Sequence, residues 1–344
     1  MSQVVAGRTA PLPLARTLTT GPAIVWLVIG LVALSLPFWL LTSQFAIGVA
    51  IRVLVFACLA LGWNLIGGFG GQVSFGNVMF FGLGAYVPTL LLINYRISPW
   101  IGMFAGMAMS CLAALIVGLP CFRLRGHYFS LATFACSLIL QVTFTYFDKI
   151  TGGDVGIYPP LLGDPPGNKP EFFEFTFLSL YYYVGLAMVA LSLLLSWAFL
   201  RSRYGIYLMA LRDSHEAAES LGVNTTWVKM AAFLLGAIMS TYAGTLYVQY
   251  TYFIDPATGF GLAYSLQIAL LAIVGGLTVL WGPLLGAVVL IPIAEFLNAT
   301  VGARYAGFQL LIYAAVLILC IVLVPRGLGY GLQRLASRIG QRRA

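Results

Sequence analysis

The feature that most constrains this chain is a succession of apolar stretches, each about 18–24 residues long, the length of a helix that spans a bilayer. Charged residues make up only 8% of the chain, too few to coat a soluble domain. Within lipid, every backbone polar group must be satisfied internally, which leaves helices or closed barrels. The alternating pattern of barrel strands is absent from these stretches. We therefore predict an all-α integral membrane protein, a polytopic helical bundle.

Ten apolar stretches are candidate transmembrane helices, and the pattern therefore predicts about ten spans. They cover residues 23–41, 45–66, 77–94, 99–119, 128–147, 177–200, 227–250, 262–280, 283–298 and 307–324. The ninth is short and is the stretch expected to be tilted or re-entrant. Its length leaves the count open between eight and ten.

The positions of Lys and Arg predict the orientation of these spans. With the N-terminus inside, thirteen of the 18 basic residues fall inside, four fall outside, and Arg52 lies within a span. Because basic loops favour the cytoplasm, ten spans with both termini cytoplasmic is the consistent arrangement. This predicts a cytoplasmic tail at 1–22, a single permease domain at 23–324 and a basic cytoplasmic tail at 325–344. The same loops account for the net charge of +8 without a nucleic-acid partner.

The two longest loops differ in chemistry. The outer one, 148–176, is acidic and rich in proline, and it predicts a loop with a short surface helix. The inner one, 201–226, contains Asp213 and Glu216 at the spacing of a capping box, which predicts a helix from near Ser214. Gly222 is suited to end that helix.

Ala217 and Leu221 share one face of the predicted inner helix, with Ala218 beside them. Physical reasoning leaves two interpretations open for this short helix. It is either a solvated amphipathic linker or an element that inserts into a groove on another protein.

The order Glu216-Ala217-Ala218, three residues, then Gly222 resembles the EAA-x-x-x-G signature of permease subunits of bacterial ABC importers. The later hydrophobic-Pro pattern of the fullest consensus is missing. The resemblance implies that the segment is a coupling helix that docks into an ATPase subunit. The residues expected to form it are Arg212, Asp213, Ser214, Glu216, Ala217, Ala218, Leu221 and Gly222.

Further blocks between residues 60 and 330 resemble the branched-chain amino-acid permeases. They are Gly71-Gln72-Val73-Ser74-Phe75-Gly76, Leu124-Arg125-Gly126-His127-Tyr128, Thr151-Gly152-Gly153-Asp154-Val155-Gly156-Ile157, and Gly275-Gly276 followed by Trp281-Gly282-Pro283 and Gly286-Ala287. The chain looks like the LivM-type subunit. That likeness implies a bacterial inner-membrane importer of leucine, isoleucine and valine. A urea or short-amide substrate, and a homodimer in place of a heterodimer, remain open alternatives.

The resemblance also implies the partners. They are a homologous LivH-type permease, two ABC ATPase subunits, a periplasmic substrate-binding protein and the surrounding membrane lipid. The chain would be a transport subunit and not an enzyme. No cofactor is expected in the chain itself, since ATP and Mg²⁺ would bind to the ATPases.

The glycine-rich break before the third span is the candidate translocation path. A broken helix offers free backbone N–H and C=O groups, which suit the carboxylate and ammonium of an amino acid. The candidate residues are Gly70, Gly71, Gln72, Ser74, Gly76 and Asn77. The other interpretation of this break is a tight structural turn between two spans.

Rival functions find less support in the sequence. An ion-coupled secondary transporter needs a proton relay or ion site within the membrane. Arg52 and Glu295 lie within spans but near an interface, and they suit packing or anchoring. The G-x-x-x-x-G-K-[ST] motif of an ATPase and the H-E-x-x-H motif of a metalloprotease are both missing from the sequence. Energy for transport is therefore expected to come from another subunit.

Overall fold

A computed structural model describes residues 30–37, 43–124, 126–162, 169–277, 279–302, 315, 318 and 327–330. A helical stretch lies at 30–37. The helices that follow are α1 (Gln44–Asn64), α2 (Asn77–Tyr95), α3 (Pro99–Cys121), α4 (His127–Tyr146), α5 (Asp148–Thr151), α6 (Leu178–Arg201), α7 (Arg203–Asp213), α8 (His215–Ser220), α9 (Thr225–Thr251), α10 (Pro256–Phe260), α11 (Leu262–Gly275) and α12 (Gly282–Leu297). π-helical turns extend α1 through Leu65–Phe69 and α12 through Asn298–Gly302.

Seven helices among the described residues are long and apolar enough to cross a bilayer, namely α1, α2, α3, α4, α6, α9 and α12. They correspond to the second to seventh and the ninth predicted spans. The prediction of an all-α membrane protein is confirmed. The first predicted span is described only at 30–37 and the tenth only at residues 315 and 318, so both lie largely outside the described residues.

The extent predicted for the eighth span is wrong. The apolar run at 262–280 forms a helix of only 14 residues, because α11 ends at Gly275 and Gly276 follows with φ at +117°. Fourteen residues reach about 21 Å, short of a bilayer core of about 30 Å. The ninth span, expected to be short, is extended by its π-helical turn to a full spanning length. Hydropathy alone does not register a backbone reversal inside an apolar run.

Helix α9 packs closely against α1, α2 and α3 through small residues. A Cβ atom added at Gly84 of α2 would overlap the carbonyl oxygen of Thr241 in α9, and one at Gly62 of α1 would lie 3.0 Å from the Gly236 carbonyl oxygen. Thr245 Oγ1 donates to the Gly84 carbonyl oxygen at 2.8 Å. Thr241 Oγ1 donates to Ser110 Oγ of α3 at 2.7 Å. Within lipid, the hydrophobic effect does not drive helices together. Membrane helices associate instead through close packing of small residues and through interhelical hydrogen bonds.

Glycines bring two further pairs of elements into close contact. A Cβ atom at Gly82 would lie 2.5 Å from the Gly259 carbonyl oxygen, and one at Gly286 would overlap the carbonyl oxygen of Leu271. The second contact brings α12 against α11, so the short α11 and the following span form one tight helical hairpin.

Arg52 and Glu295, the two residues given an anchoring role within the spans, pair with each other. Arg52 of α1 lies 2.5 Å from Glu295 of α12, measured from Nη1 to Oε2, and their side chains are 38% and 18% exposed. A paired charge is far less costly in a membrane than an isolated one. The anchoring role expected from the sequence therefore takes the form of an ion pair between the two helices.

Replacing Glu295 by alanine is expected to lower the free energy of unfolding by about 2 kcal/mol, because it leaves the Arg52 charge without its partner near the bilayer. The measurement is the thermal unfolding midpoint of the protein in lipid nanodiscs. An Arg52→Leu, Glu295→Leu double variant is the control and is expected to recover most of the loss. Equal midpoints for Glu295→Ala and the unaltered protein would contradict this role for the pair.

The loop between α4 and α6 is packed onto the end of the bundle where described. It contains α5 and two 3₁₀ turns, in agreement with the expected short surface helix. Trp100 Nε1 donates to the Pro170 carbonyl oxygen at 2.9 Å, and the Ile157 backbone N–H donates to the Ile254 carbonyl oxygen at 2.9 Å. The hydroxyls of Tyr181 and Tyr252 are 2.8 Å apart. Burial raises the pKa of Tyr252, which keeps its phenol protonated.

Candidate coupling face and glycine-rich break

The glycine-rich break joins α1 to α2. After the π-helical turn, the backbone N–H of Gly70 donates to the Leu65 carbonyl oxygen and that of Gln72 to the Ile66 carbonyl oxygen, both at 3.0 Å. Gly71 has φ at +66°, a backbone conformation that residues other than glycine rarely adopt. The chain therefore leaves the helix by a reversal centred on Gly71.

Side chains from three helices hold the backbone of this break. Trp63 Nε1 of α1 donates to the Ser74 carbonyl oxygen at 2.6 Å, and Ser130 Oγ of α4 donates to that of Val73 at 2.6 Å. Ser265 Oγ of α11 donates to the Phe75 carbonyl oxygen at 2.7 Å. The segment is thus a fixed element, and several of its carbonyl groups already have partners within the chain.

The polar residues predicted for the translocation path occupy two different settings. Ser74 and Asn77 are buried, at 0% and 1% exposed. Ser74 Oγ accepts from the Gly76 backbone N–H at 3.2 Å, and Asn77 Nδ2 donates to Ser240 Oγ of α9 at 2.9 Å. These groups face the interior of the bundle.

The other path candidates, Gly70, Gly71 and Gln72, line a cavity of about 340 Å³. Arg212 lines the same cavity, so it lies where the two predicted sets of site residues meet.

The inner loop folds as two helices separated by one extended residue. Helix α7 ends at Asp213, Ser214 is extended with φ at −156° and ψ at 111°, and α8 begins at His215. The predicted helix start near Ser214 is confirmed. Asp213 itself belongs to the preceding helix, and the carbonyl oxygen of Ser214 accepts the first backbone bond, from the Ala218 N–H at 3.2 Å.

Gly222 ends α8, as the sequence predicts. Its φ is +79°. Its backbone N–H donates to the Glu219 carbonyl oxygen at 2.9 Å, and the Val223 N–H donates to that of Ala218 at 3.2 Å. This pair of bonds is a Schellman motif, which satisfies the last carbonyl groups of a helix.

Helix α8 presents one side outward and the other to the bundle. Glu216 is exposed, and Leu221, beyond the last turn, is 84% exposed. Ala218 is only 3% exposed, so it packs against the bundle and holds the helix in place. Arg212, Asp213, Ser214 and Gly222 are exposed. Ala217 lies in the same helix. An exposed apolar side chain and an exposed carboxylate on the same segment suit contact with another protein.

A chain of polar contacts connects α8 to the start of the central helix α9. Lys229, 3% exposed, has its Nζ 3.1 Å from His215 Nε2. On the other side of the imidazole ring, Nδ1 lies 3.5 Å from Glu219 Oε1. Sequence reasoning missed this link. A pair separated by fourteen residues across a turn leaves no periodic signal.

The break and the inner loop are in direct contact. A Cβ atom at Gly71 would lie 2.9 Å from Arg212 Cγ, and one at Gly70 would lie 3.1 Å from Leu208 Cδ1. Helix α7 therefore lies against the reversal between α1 and α2. A movement of α7 and α8 would therefore displace the break directly, without an intervening element.

The chain is similar to permease proteins of branched-chain amino acid transport systems. The LivM permease protein of the high-affinity branched-chain amino acid transport system of Salmonella typhimurium is 27% identical over 315 residues, covering 86% of this chain and 72% of the relative. LivM of Escherichia coli K12 is 26% identical over 319 residues, covering 88% and 74%. LivH of Salmonella typhimurium is 24% identical over 288 residues, covering 79% and 90%.

No solved structure gives a significant match. The family described as the permease component of branched-chain amino acid transport systems matches residues 45–323. The matched region contains the glycine-rich break, both inner helices and all seven spanning helices. The chain therefore belongs to this permease family.

Proposed function

We propose that this chain is the membrane-spanning permease subunit of an ATP-driven importer that carries leucine, isoleucine and valine across the bacterial inner membrane. The observation that carries the proposal is the family match over residues 45–323. The names of the LivM and LivH relatives support the substrate class. Glu216 of α8 and Leu221 just beyond it are exposed, which supports a supply of energy from another subunit.

The orientation follows from which loops share an end of the bundle. The contacts of Gly70 with Leu208 and of Gly71 with Arg212 bring the break and the inner loop together. Because this end carries the basic loops, it is assigned to the cytoplasm. About ten spans with both termini cytoplasmic remain the proposed topology, with α10 and α11, separated by Gly261 alone, together counted as the eighth.

The proposed complex contains this chain, a LivH-type permease, two ATPase subunits and a periplasmic binding protein. ATP closes the ATPases, and α8 moves with them. The Lys229–His215 contact passes this movement to α9, and the Arg212–Gly71 contact passes it to the break. The bundle then alternates between openings on its two sides.

Within this mechanism, the break contributes to the translocation path at its cavity side, through Gly70, Gly71 and Gln72, which line the cavity. Ser74, Gly76 and Asn77 support the shape of the break from inside. The six predicted path residues therefore have two different roles, and this difference can be tested.

Gln72→Ala is expected to lower leucine uptake about fivefold or more, because it removes a polar group from the path while leaving the backbone bonds of the break intact. Ser137→Ala is the matched control, since Ser137 Oγ donates only to a carbonyl oxygen of its own helix. Uptake by each variant is measured in proteoliposomes after assembly is confirmed by size-exclusion chromatography. Uptake by Gln72→Ala equal to that of Ser137→Ala would count against a path role.

The function itself is tested by reconstituting the chain with the permease, ATPase and binding protein encoded beside it. We expect ATP-dependent uptake of radiolabelled leucine that isoleucine and valine inhibit and urea does not. A complex carrying an inactive ATPase should show no uptake. Uptake driven by a proton or sodium gradient without ATP would refute the proposal, and competition by urea alone would refute the substrate class.

A further inference from the structure

Another cavity lies among the spanning helices, away from the glycine-rich break. Its volume is about 530 Å³, and its walls are α1, α6, α12 and the helical stretch at 30–37. Among the described residues that line it, Tyr182 alone has a polar side chain. The Tyr182 hydroxyl donates at 2.8 Å to the carbonyl oxygen of Ala33, a group that Pro37 cannot satisfy because it lacks an N–H. The interior of the cavity is therefore apolar.

The cavity opens at the surface of two spanning helices. Phe45 of α1 and Val288 and Phe296 of α12 line it, and they are 53%, 48% and 62% exposed. Exposed apolar surface on a spanning helix lies against hydrocarbon, so an acyl chain can enter the cavity from the side. Along α12 the lining extends from Leu284 to Phe296, a length of about 18 Å for an α-helix. A branched amino-acid side chain is much shorter than this.

The Arg52–Glu295 ion pair lies on the faces of α1 and α12 that line this cavity. Val49 precedes Arg52 by three residues, and Pro292 precedes Glu295 by three. This spacing places side chains on one face of a helix, and both Val49 and Pro292 line the cavity. Both charged side chains are partly exposed. A guanidinium has several N–H donors and a carboxylate several acceptor sites, so the pair keeps capacity for a further ligand.

The two charges lie toward one end of the cavity. Glu295 is two residues from the end of α12, whereas Leu284 is two residues from its start. A ligand that matches this order has a head with a negative and a positive group, followed by a long apolar tail. Phosphate oxygens bind a guanidinium, and a primary ammonium group donates to a carboxylate.

We propose that this cavity binds a phospholipid with a zwitterionic headgroup that contains a primary amine. Its phosphate contacts Arg52, its ammonium contacts Glu295, and one acyl chain lies along α12 toward Leu284. A headgroup with only a negative charge would meet the Glu295 carboxylate as well as Arg52 and would therefore gain less. The lipid joins α1, α6 and α12, and its binding does not depend on the identity of the transported substrate.

The headgroup is tested by lipid binding to the assembled complex, purified in detergent and stripped of lipid. Native mass spectrometry follows phosphatidylethanolamine and phosphatidylglycerol with the same acyl chains. The unaltered protein is expected to bind phosphatidylethanolamine about fivefold more tightly, the net effect of one hydrogen bond to the Glu295 carboxylate. The Arg52→Leu, Glu295→Leu double variant removes both charges together, so neither is left unpaired, and it should bind the two lipids equally.

The position of the acyl chain is tested by Val288→Trp, which fills the cavity from its rim. Because Val288 is half exposed, the larger side chain leaves the interior packing of the bundle intact. Binding of phosphatidylethanolamine should weaken about tenfold, because the chain and the indole cannot share the space. Ile139→Trp is the matched control, since Ile139 is an exposed apolar residue of α4 outside the cavity lining, and its variant should bind like the unaltered protein.

Three results would overturn the proposal. Equal binding of the two lipids by the unaltered protein would exclude the headgroup, and unchanged binding in Val288→Trp would exclude the cavity. Displacement of phosphatidylethanolamine by millimolar leucine would identify the amino acid as the occupant instead. If Val288→Trp does not assemble, the double variant decides, because a preference that persists without both charges also refutes the proposal.

Discussion

Gly84→Ala is expected to lower the free energy of unfolding by about 3 kcal/mol, although alanine favours a helix by about 1 kcal/mol over glycine. The new Cβ atom would overlap the Thr241 carbonyl oxygen and lie 2.5 Å from Thr241 Cα. These are backbone atoms of α9, so no side chain can rotate away. Helices α2 and α9 must separate, which also weakens the bond from Thr245 Oγ1 to the Gly84 carbonyl oxygen. The measurement is the thermal unfolding midpoint in detergent, followed by circular dichroism.

Gly106→Ala is the matched control, because it makes the same substitution against the same neighbour. Its Cβ atom would lie 3.3 Å from Thr241 Cγ2, a methyl group that shifts by a few tenths of an ångström. Its unfolding free energy should stay within about 1 kcal/mol of the unaltered protein. Similar midpoints for the two variants would show that close backbone packing at Gly84 does not govern stability.

Glu216→Ala is expected to reduce transport about tenfold or more while the complex still assembles, since the coupling between two sites is typically worth 5–150-fold. Glu216 is exposed on α8, and the structure records no partner for its side chain within the described residues. Its removal should therefore leave the permease intact and weaken only the contact with the ATPase. Leucine uptake and substrate-stimulated ATP hydrolysis are both measured, because loss of coupling changes their ratio.

Gly222→Ala tests the same element through its shape. A Cβ atom at Gly222 meets nothing within 4 Å, so the substitution acts only through the strained φ of +79°. That strain costs roughly 1–2 kcal/mol and displaces the end of α8. Glu171→Ala, which removes an exposed carboxylate from the outer loop, is the control for charge loss. An unchanged ratio of uptake to hydrolysis in both inner-loop variants would exclude α8 as the coupling element.

Much of the membrane architecture could be predicted because its signals are local. Runs of apolar residues identify seven spans that the described helices match, and Gly222 identifies the end of α8. The error at the eighth span has a physical cause, since Gly276 reverses the backbone inside a run whose hydropathy does not change. The pairing of Arg52 with Glu295 was likewise beyond prediction, since each charge is visible alone but their distance is not.

The candidate site was likewise predicted only in part. Its two parts, the break at Gly70–Gly76 and the helix ending at Gly222, were identified from residue types and spacing. That Gly71 contacts Arg212, and that Lys229 contacts His215, depends on how α7, α8 and α9 pack together. The sequence alone determined a helical membrane protein with a basic inner loop, because periodicity and charge act between near neighbours. The tertiary structure alone decided that this loop lies on the glycine-rich break and lines a cavity with it, because contacts between distant residues are set by helix packing.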